Sequence, residues 1–153
     1  MATGPRYHVQ LRRRREGRTD FRLRLGLLKS GKPRLVVRST SKNIHVQLVE
    51  FDPKGDKVLA EATALELRKH GYKGATGNSK AAYLAGYLLG KKAGKKEAIV
   101  DFGLQYPHGL KIRSAVKGAI DAGMQINFGE KELPADDKLK TEEVTKVISS
   151  MKV

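Results

Sequence analysis

The stretch RLVVRSTSKNIHVQLVEF, residues 34–51, decides the fold that this sequence predicts. Apolar and polar residues alternate in 34–40 and again in 44–51, and the short turn Ser41-Lys42-Asn43 separates the two runs. Because successive side chains of a strand point to opposite faces, each run is expected to be a β-strand with one buried face. The sequence DPKGD that follows is a second turn signal, ahead of a third strand at 57–63. Three strands joined by short turns make an antiparallel meander.

A helix is expected before this meander. Thr19-Asp20 supplies an N-cap residue, and Phe21, Leu25 and Leu28 follow at the spacing of one helical face. The SGKP segment after them ends the helix, because glycine accepts a left-handed cap and proline cannot continue the helix. The pattern predicts an amphipathic helix with one face for a core and one for anions.

The segment after the meander predicts a helix and a further strand. Residues 80–92 carry a broad apolar face, and their small residues, including Gly86 and Gly90, are expected to allow close packing on the sheet. The apolar run at 98–102 predicts a strand buried on both faces. A helix between the meander and this strand implies a crossover connection, which makes the strand parallel to its neighbour in the sheet.

The predicted fold class is therefore α/β, with a mixed sheet of an antiparallel three-strand meander plus a parallel strand, and helices packed on it. A chain of 153 residues suits one such domain. Residues 124–140 are polar and turn-rich. The remaining predicted elements are a helical turn at 64–70, a helix near 110–122, and a last helix that Thr141 can cap, with Val144, Val147, Ile148 and Met151 on one side.

The charge of the chain is concentrated near its beginning. The net charge is +15, and residues 1–45 hold thirteen of the 31 basic residues but only two acidic ones, a net charge of +11. Folding alone does not need such an excess, since like charges repel each other. A polyanionic partner is expected, a nucleic acid first and an anionic membrane surface second.

The absence of cysteine fits a reducing compartment, and no secretory signal or membrane-spanning run is found.

Residues 1–18 have no apolar period and are expected to form an extended basic arm. Arg12-Arg13-Arg14-Arg15 and Arg18 are permanently charged and need an anionic partner or water. Two interpretations stay open, a solvated tail and an arm that becomes ordered on a nucleic acid. Tyr7 also has two interpretations, an anchor on the domain or a ring that stacks on a base.

The polar face of the meander is the more specific signal. If the alternating apolar residues face the core, four polar side chains emerge together on the other face, and two more lie at its rim. Guanidinium, imidazole and amide groups on a rigid sheet suit phosphates, 2′-hydroxyls and unpaired bases. An ordinary solvated face is the alternative. The face residues are Arg34, Arg38, His45 and Gln47, and the rim residues are Lys42 and Asn43.

An enzyme is the main competing hypothesis. The predicted strand order resembles the ribonuclease-H-like architecture, whose nucleases hold two metal ions on clustered carboxylates. Asp101 ends the fourth strand at a plausible ligand position, but the first strand has no acid, and Arg34 and Arg38 on it would repel Mg²⁺. The four histidines lack metal-ligand spacing. The sequence therefore disfavours a nuclease.

The glycine-rich loop GYKGATGNS at 71–79 precedes a predicted helix and has two interpretations. Its backbone N–H groups could bind a phosphate, with Lys73 nearby. Alternatively, the glycines only turn the chain while Asn78 or Ser79 caps the helix, and turn chemistry favours this second interpretation.

Four runs of the sequence together resemble one protein family. They are PRYHVQLRRRREGRTDF, LLKSGKPRLVVRSTSKNIHVQLVEFDPKGDKVL, ELRKHGYKGATGNSKAAYLAGYLLGKKA and AIVDFGLQYP. In this order they resemble the archaeal and eukaryotic-like form of universal large-subunit ribosomal protein eighteen, from about Arg6 to Gly123. The segments GLQYPHGLKIRS and INFGEKELPADD depart from the family pattern.

The resemblance implies a structural RNA-binding protein of the large subunit of the cytoplasmic ribosome, without catalytic residues, metal or cofactor. It implies 5S rRNA as the partner, attachment of 5S to 23S rRNA in the central protuberance, neighbouring ribosomal proteins there, and no membrane. A general polyanion-binding adaptor remains a further alternative. The expected organisation is a basic arm at 1–18, a 5S-rRNA-binding α/β domain at 19–123 and a C-terminal extension at 124–153. The implied RNA contacts are Arg6, Arg12, Arg13, Arg14, Arg15, Arg18, Arg22, Arg34, Arg38, Lys42, Asn43, His45 and Gln47, and more weakly Lys54 and Lys73.

Overall fold

The computed structural model describes residues 4–106, 108–129, 133–136, 139 and 141–151. The start of the predicted arm at 1–3 and parts of the predicted C-terminal extension, at 130–132, 137–138, 140 and 152–153, lie outside these ranges. The helices are α1 (Arg12–Arg15), α2 (Phe21–Leu28), a 3₁₀ helix (Glu66–His70), α3 (Ser79–Ala93), α4 (Leu110–Asp121) and α5 (Glu142–Ser150). The strands are β1 (Arg34–Ser39), β2 (Ile44–Glu50), β3 (Lys57–Thr63), β4 (Glu97–Asp101) and β5 (Gln125–Ile126).

The sheet confirms the predicted α/β fold class. Its strand order is β3-β2-β1-β4-β5. β1 pairs antiparallel with β2, β2 pairs antiparallel with β3, and β4 lies parallel to β1. The register places Arg38 opposite His45 and Leu35 opposite Leu48. Leu35, Val37 and Leu48 thus share the inner face, whereas the polar residues share the other face with Val36 and Val49.

The inner face of the sheet packs against α3 and α4. Leu35, Val37 and Leu48 are fully buried there, together with Leu84 and Leu88 of α3. The small residues of α3 were expected to allow close packing on the sheet, but this prediction is wrong for Gly86 and Gly90, which face α4. The reason is the tight α3–α4 contact, in which a Cβ at Gly86 would overlap the carbonyl oxygen of Ala115.

A second glycine completes the α3–α4 contact from the other helix. A Cβ on Gly118 of α4 would overlap the carbonyl oxygen of Tyr83 on α3. The Tyr83 hydroxyl also donates to Oδ2 of Asp121 at 2.8 Å. Burial, then this hydrogen bond, raises the pKa of Tyr83, so the hydroxyl stays protonated at neutral pH. The two helices therefore behave as one packed layer.

Two predictions about the later strands need correction. β4 was expected to be buried on both faces, yet only Ala98 and Asp101 are fully buried in it, because it lies near the edge of the sheet. A fifth strand, β5, pairs parallel with β4 through Glu97 and Ala98. No sequence pattern predicts β5, since two residues are too few to show an alternation.

The N-terminal elements also differ from expectation. The arm is not wholly extended, because Arg12–Arg15 form the single turn α1, which Gly17 ends with a φ of +60°. Asp20 caps α2 as predicted, accepting from the backbone N–H of Arg22 and Leu23. The predicted core face of α2 is wrong, since no α2 residue is buried and Phe21 is 44% exposed. Instead, α2 contacts β4, and its Arg24 binds Asp56 in the β2–β3 turn.

The last helix packs on the body of the domain. Val144, Val147 and Met151 are buried and belong to the main hydrophobic core, as the spacing of its apolar residues predicts. The Ser150 hydroxyl donates to the carbonyl of His70, at the end of the 3₁₀ helix. Thr141 lies at the N-cap position as predicted, but its buried hydroxyl makes no capping hydrogen bond.

Candidate RNA interface

The face of the sheet turned away from α3 and α4, here called the outer face, collects the predicted polar residues. The pairing of β1 with β2 places Arg38 beside His45 and Val36 beside Gln47. His45 is exposed, and Gln47 is half-buried and donates through its amide to Glu61 of β3 at 3.1 Å. The structure therefore brings the predicted face residues together, with a carboxylate beside Gln47.

Arg34 is the exception, and its expected exposure is wrong. It is 3% exposed, and its two terminal nitrogens bind different carboxylates. Nη1 donates to Oδ2 of Asp101 at 2.7 Å, and Nη2 donates to Oδ2 of Asp56 at 2.6 Å. Both acids are distant in the sequence, so strand alternation alone could not indicate the pairing.

Two further arginines extend this ion-pair network. Arg24 of α2 donates to both carboxylate oxygens of Asp56, at 2.8 and 3.0 Å. Arg38 donates to Oδ1 of Asp101 at 3.1 Å and to its backbone carbonyl at 2.7 Å. Burial alone would raise the pKa of Asp101, but the hydrogen bonds and charges of Arg38 and Arg34 outweigh it and hold this pKa below its usual value. The network joins α2, β1, β4 and the β2–β3 turn.

Arg38 is held in place but still reaches solvent. Its side chain is 40% exposed, and it donates a third hydrogen bond to the carbonyl of Val37. Gly103 makes room for it, since a Cβ there would lie 2.9 Å from the Arg38 Cζ, and its φ is +60°. The exposed part of a guanidinium fixed in this way can bind a phosphate or stack on a base.

The β1–β2 turn carries the rim residues. Asn43 accepts from the backbone N–H of Ile44 through Oδ1, and its Nδ2 lies 3.1 Å from Nε2 of His45. Lys42 is exposed at the tip of the turn. These side chains are displayed at the end of the outer face, as predicted.

The glycine-rich loop supports this turn from behind. The Thr76 hydroxyl donates to the carbonyl of Lys42 at 2.6 Å, and a Cβ on Gly77 would overlap the carbonyl oxygen of Ser41. Asn78 caps α3 by accepting from the backbone N–H of Ala81 at 2.7 Å. The capping interpretation of the loop is thus confirmed, and the contact with the turn is a role that the sequence did not indicate.

Gln105 is a second residue whose role sequence reasoning missed. Its carboxamide accepts from the backbone N–H of Ser39 at 2.8 Å and donates to the Ser39 carbonyl at 2.5 Å. It thus acts as a strand partner for β1 just beyond the end of β4. A single glutamine in a loop gives no sequence signal for such a role.

The arm displays its arginines to solvent. Glu16 pairs with Arg12 at 2.7 Å and with Arg18 at 2.9 Å. Within the described ranges, no carboxylate lies within ion-pair distance of Arg13, and the same holds for Arg14 and Arg15. Arg6, Arg22, Lys54 and Lys73 are also exposed, outside the outer face.

The structure offers no support for the nuclease alternative. Both carboxylate oxygens of Asp101 are occupied by guanidinium groups, which are the wrong neighbours for a metal ion. In the part of the chain that the structure describes, no three acidic or histidine side chains are grouped to hold a metal.

Among the described residues, no helix has the length and apolar character that a membrane crossing needs.

Comparison with known proteins decides the family. The profile of the family described as ribosomal large subunit proteins 60S L5 and 50S L18 matches residues 5–99. Large ribosomal subunit protein uL18 of Methanoregula boonei is 51% identical over 148 residues, which cover 94% of this chain and 85% of that protein. The chain belongs to this ribosomal family. The uL18 protein of Methanococcus maripaludis is 50% identical over 156 residues, covering 99% of this chain and 81% of that protein.

Family membership fixes the general role. A large-subunit protein of this family is a structural constituent of the cytoplasmic ribosome and not an enzyme, and its partners are rRNA and other ribosomal proteins. The suspected relationship to universal large-subunit protein eighteen is confirmed, in its archaeal form. The outer face and the arm are thus surfaces of a ribosomal protein.

Proposed function

We propose that this ribosomal protein binds 5S rRNA and helps attach it to 23S rRNA in the central protuberance. The observation that carries the proposal is the exposed arginine run of the arm, in which Arg13, Arg14 and Arg15 have no carboxylate within ion-pair distance among the described residues. A folded domain gains nothing from such a run, whereas RNA phosphates neutralise it and release counterions.

The outer face is proposed as the second contact surface. Arg38, His45 and Gln47 offer guanidinium, imidazole and carboxamide groups, and the adjoining turn adds Lys42 and Asn43. Such groups suit the 2′-hydroxyls and the unpaired bases by which RNA is read. The rigid sheet and the contact of the glycine-rich loop hold them in fixed relative positions.

Arg34 has a different part in the proposal. Because it is buried between Asp56 and Asp101, it fixes the outer face and does not itself touch RNA in this conformation. The other exposed basic residues predicted from the resemblance, Arg6, Arg22, Lys54 and Lys73, are proposed as peripheral phosphate contacts.

The proposal has a quantitative consequence. If the arm and the rim of the outer face neutralise eight phosphates, the logarithm of the binding constant should fall with the logarithm of the salt concentration with a slope of about −6 to −7. A slope of about −2 would contradict contact with so many phosphates.

Competition between two RNAs tests the proposal against a general polyanion adaptor. The wild-type protein is titrated with labelled 5S rRNA at constant salt, in the presence of unlabelled 5S rRNA or unlabelled tRNA. We expect unlabelled 5S rRNA to compete much more strongly than tRNA, because the outer face reads RNA shape and unpaired bases as well as charge. Equal competition would support the adaptor and contradict the proposal.

A further inference from the structure

A cleft of about 480 Å³ separates the arm and α2 from the outer face of the sheet. Arg13 and Arg18 of the arm line one side, and Arg38 with Gln47 lines the other. The cleft is therefore formed by the two surfaces that the proposed function assigns to RNA, at the place where they meet.

The charge of the cleft favours an anion. Its lining holds five arginines and three aspartates, which leaves a net charge of +2. The aspartates are already engaged, since Asp56 and Asp101 each bind two arginines and Asp20 accepts from the N-terminal backbone of α2. Arg13, in contrast, has no carboxylate within ion-pair distance among the described residues. A ligand would therefore meet unneutralised positive charge on the arm side.

The floor of the cleft is apolar, which phosphate binding alone does not explain. Val36, Val49 and Val58 come from three adjacent strands and line the cleft together. The register places Val49 opposite Val58 on β3 and opposite Arg34 on β1, and Val36 lies two residues along β1 from Arg34, on the same face. Phosphate contacts require donors and charge, whereas the flat face of a nucleobase requires apolar area or a stacking plane.

The polar wall beside this floor is held rigidly. Three hydrogen bonds to Asp101 and Val37 fix the Arg38 guanidinium, which is a plane on which a base can stack. Gln47 is oriented by its bond to Glu61 and adds a carboxamide to the same wall. One small site thus combines an apolar floor, a stacking plane, an amide and arm arginines.

We propose that this cleft receives a single unpaired nucleotide of the bound RNA, with its base on the valine floor and its phosphate against Arg13 and Arg18. The proposal rests on the proposed function and deepens it, because it names a base-binding site within a surface otherwise assigned to phosphates.

The test fills the floor without changing any charge. Val36→Phe adds a ring to the cleft, and Leu59→Phe, on β3 but outside the lining, is the matched control. Binding of 5S rRNA is measured over a range of salt concentrations with each variant. We expect Val36→Phe to weaken binding about tenfold, as for the loss of one base contact, without altering the salt slope. Leu59→Phe is expected to bind like the wild type.

The outcomes separate this inference from the proposed function. If the wild type does not bind 5S rRNA, the proposed function fails. If the wild type binds and Val36→Phe binds equally well, the cleft proposal is overturned while the proposed function stands. Should Val36→Phe lose its circular dichroism signature, Val58→Phe replaces it, because Val58 is 52% exposed on the edge strand and tolerates a larger side chain.

Two further readouts identify the ligand. Base-specific chemical probing of the complex is expected to show one nucleotide that the wild type protects and that becomes reactive again with Val36→Phe. Identical protection patterns would overturn the proposal.

An NMR titration with free 5′-mononucleotides, at the same concentration as the RNA, is expected to leave the methyl resonances of the floor valines unshifted. A mononucleotide that binds as tightly as the RNA would make the cleft a site for free nucleotides and would also overturn it.

Discussion

Arg34 and Asp101 form a buried ion pair, with 2.7 Å between Nη1 and Oδ2, that joins the parallel strands β1 and β4. The side chains are 4% and 7% exposed, so the pair is largely withdrawn from water. Asp56 binds the other end of the guanidinium, and Arg38 binds the other oxygen of Asp101. The outer face is therefore supported by a network of three arginines and two aspartates, and its Arg38 end reaches the proposed RNA surface.

Removing the centre of this network should destabilise the fold. Arg34→Met leaves two carboxylates with one arginine each in a buried setting, and the expected loss in the free energy of unfolding is about 3 kcal/mol. Urea denaturation monitored by circular dichroism measures it. Arg22→Met is the matched control, because Arg22 is exposed on α2 and its loss should cost no more than about 0.5 kcal/mol. Equal stability of the two variants would show that the network contributes little.

Acid should weaken the same network in a defined direction. The pKa of Asp101 in the folded state lies below its usual value, so the unfolded state binds more protons in this range and stability rises with pH. The contribution of Asp101 is complete above about pH 4, the ordinary value for an aspartate, and is lost as the pH falls through the lower pKa of the folded state. Urea denaturation at several acidic pH values should show a shallower pH dependence for Asp101→Asn than for the wild type.

Asp52 provides the comparison for this titration. Its pKa is lowered by the backbone N–H of Lys54, then by Lys57, at a site open to solvent. Because solvent screens such contacts, Asp52→Asn should change the pH dependence much less than Asp101→Asn does. A larger effect at Asp52 than at Asp101 would mean that the buried network is not the main source of acid sensitivity.

The α3–α4 contact should tolerate no side chain at Gly86. Gly86→Ala places a Cβ against the carbonyl oxygen of Ala115, so the helices must separate, at an expected cost of about 3 kcal/mol. The control is Gly26→Ala in α2, where a Cβ meets no atom within 4 Å and the φ is not positive. That change should stabilise the protein by about 0.5 kcal/mol through helix propensity. Thermal denaturation measures the stability of both variants. A Gly86→Ala variant as stable as the wild type would contradict the packing argument.

The arm should set the salt dependence of RNA binding. The triple variant Arg13→Ala, Arg14→Ala and Arg15→Ala removes three proposed phosphate contacts, so the salt slope should become less steep by about 2 to 3. The fold should be retained, because α1 has no buried residue. A triple alanine variant of the exposed Lys69, Lys95 and Lys96 removes the same charge elsewhere and should change the slope by less than about 1. Equal changes in both variants would indicate a general charge effect.

The sequence predicts those parts of the fold whose signals are local. Alternation in 34–51 and the turn chemistry of Asp52–Asp56 are enough to predict the meander, and the N-cap Asp20 marks the start of α2. The exposed face of α2 could not be predicted, because its leucine spacing is the same whether a core or a partner covers it. Strand β5 is too short for any pattern.

The residues that share the candidate interface can be predicted from the sequence, but the contacts that hold them in place cannot. Strand alternation places Arg38, His45 and Gln47 on one face, and the structure agrees. The burial of Arg34 depends on Asp56 and Asp101, which are 22 and 67 residues away in the sequence. Contacts over such separations leave no local pattern, and the same holds for the contact of Thr76 with the β1–β2 turn.

Ultraviolet crosslinking within intact large subunits tests the central claim most directly. Crosslinked peptides and nucleotides are mapped together by mass spectrometry and primer extension. Peptides from the arm at 6–18 and from the β1–β2 turn with the start of β2, at 40–47, are expected to carry 5S rRNA nucleotides. Crosslinks to 23S rRNA are expected only at the periphery of the same surface. Crosslinks to 5S rRNA found only on α3 and α4, with none on the arm or the turn, would contradict the account.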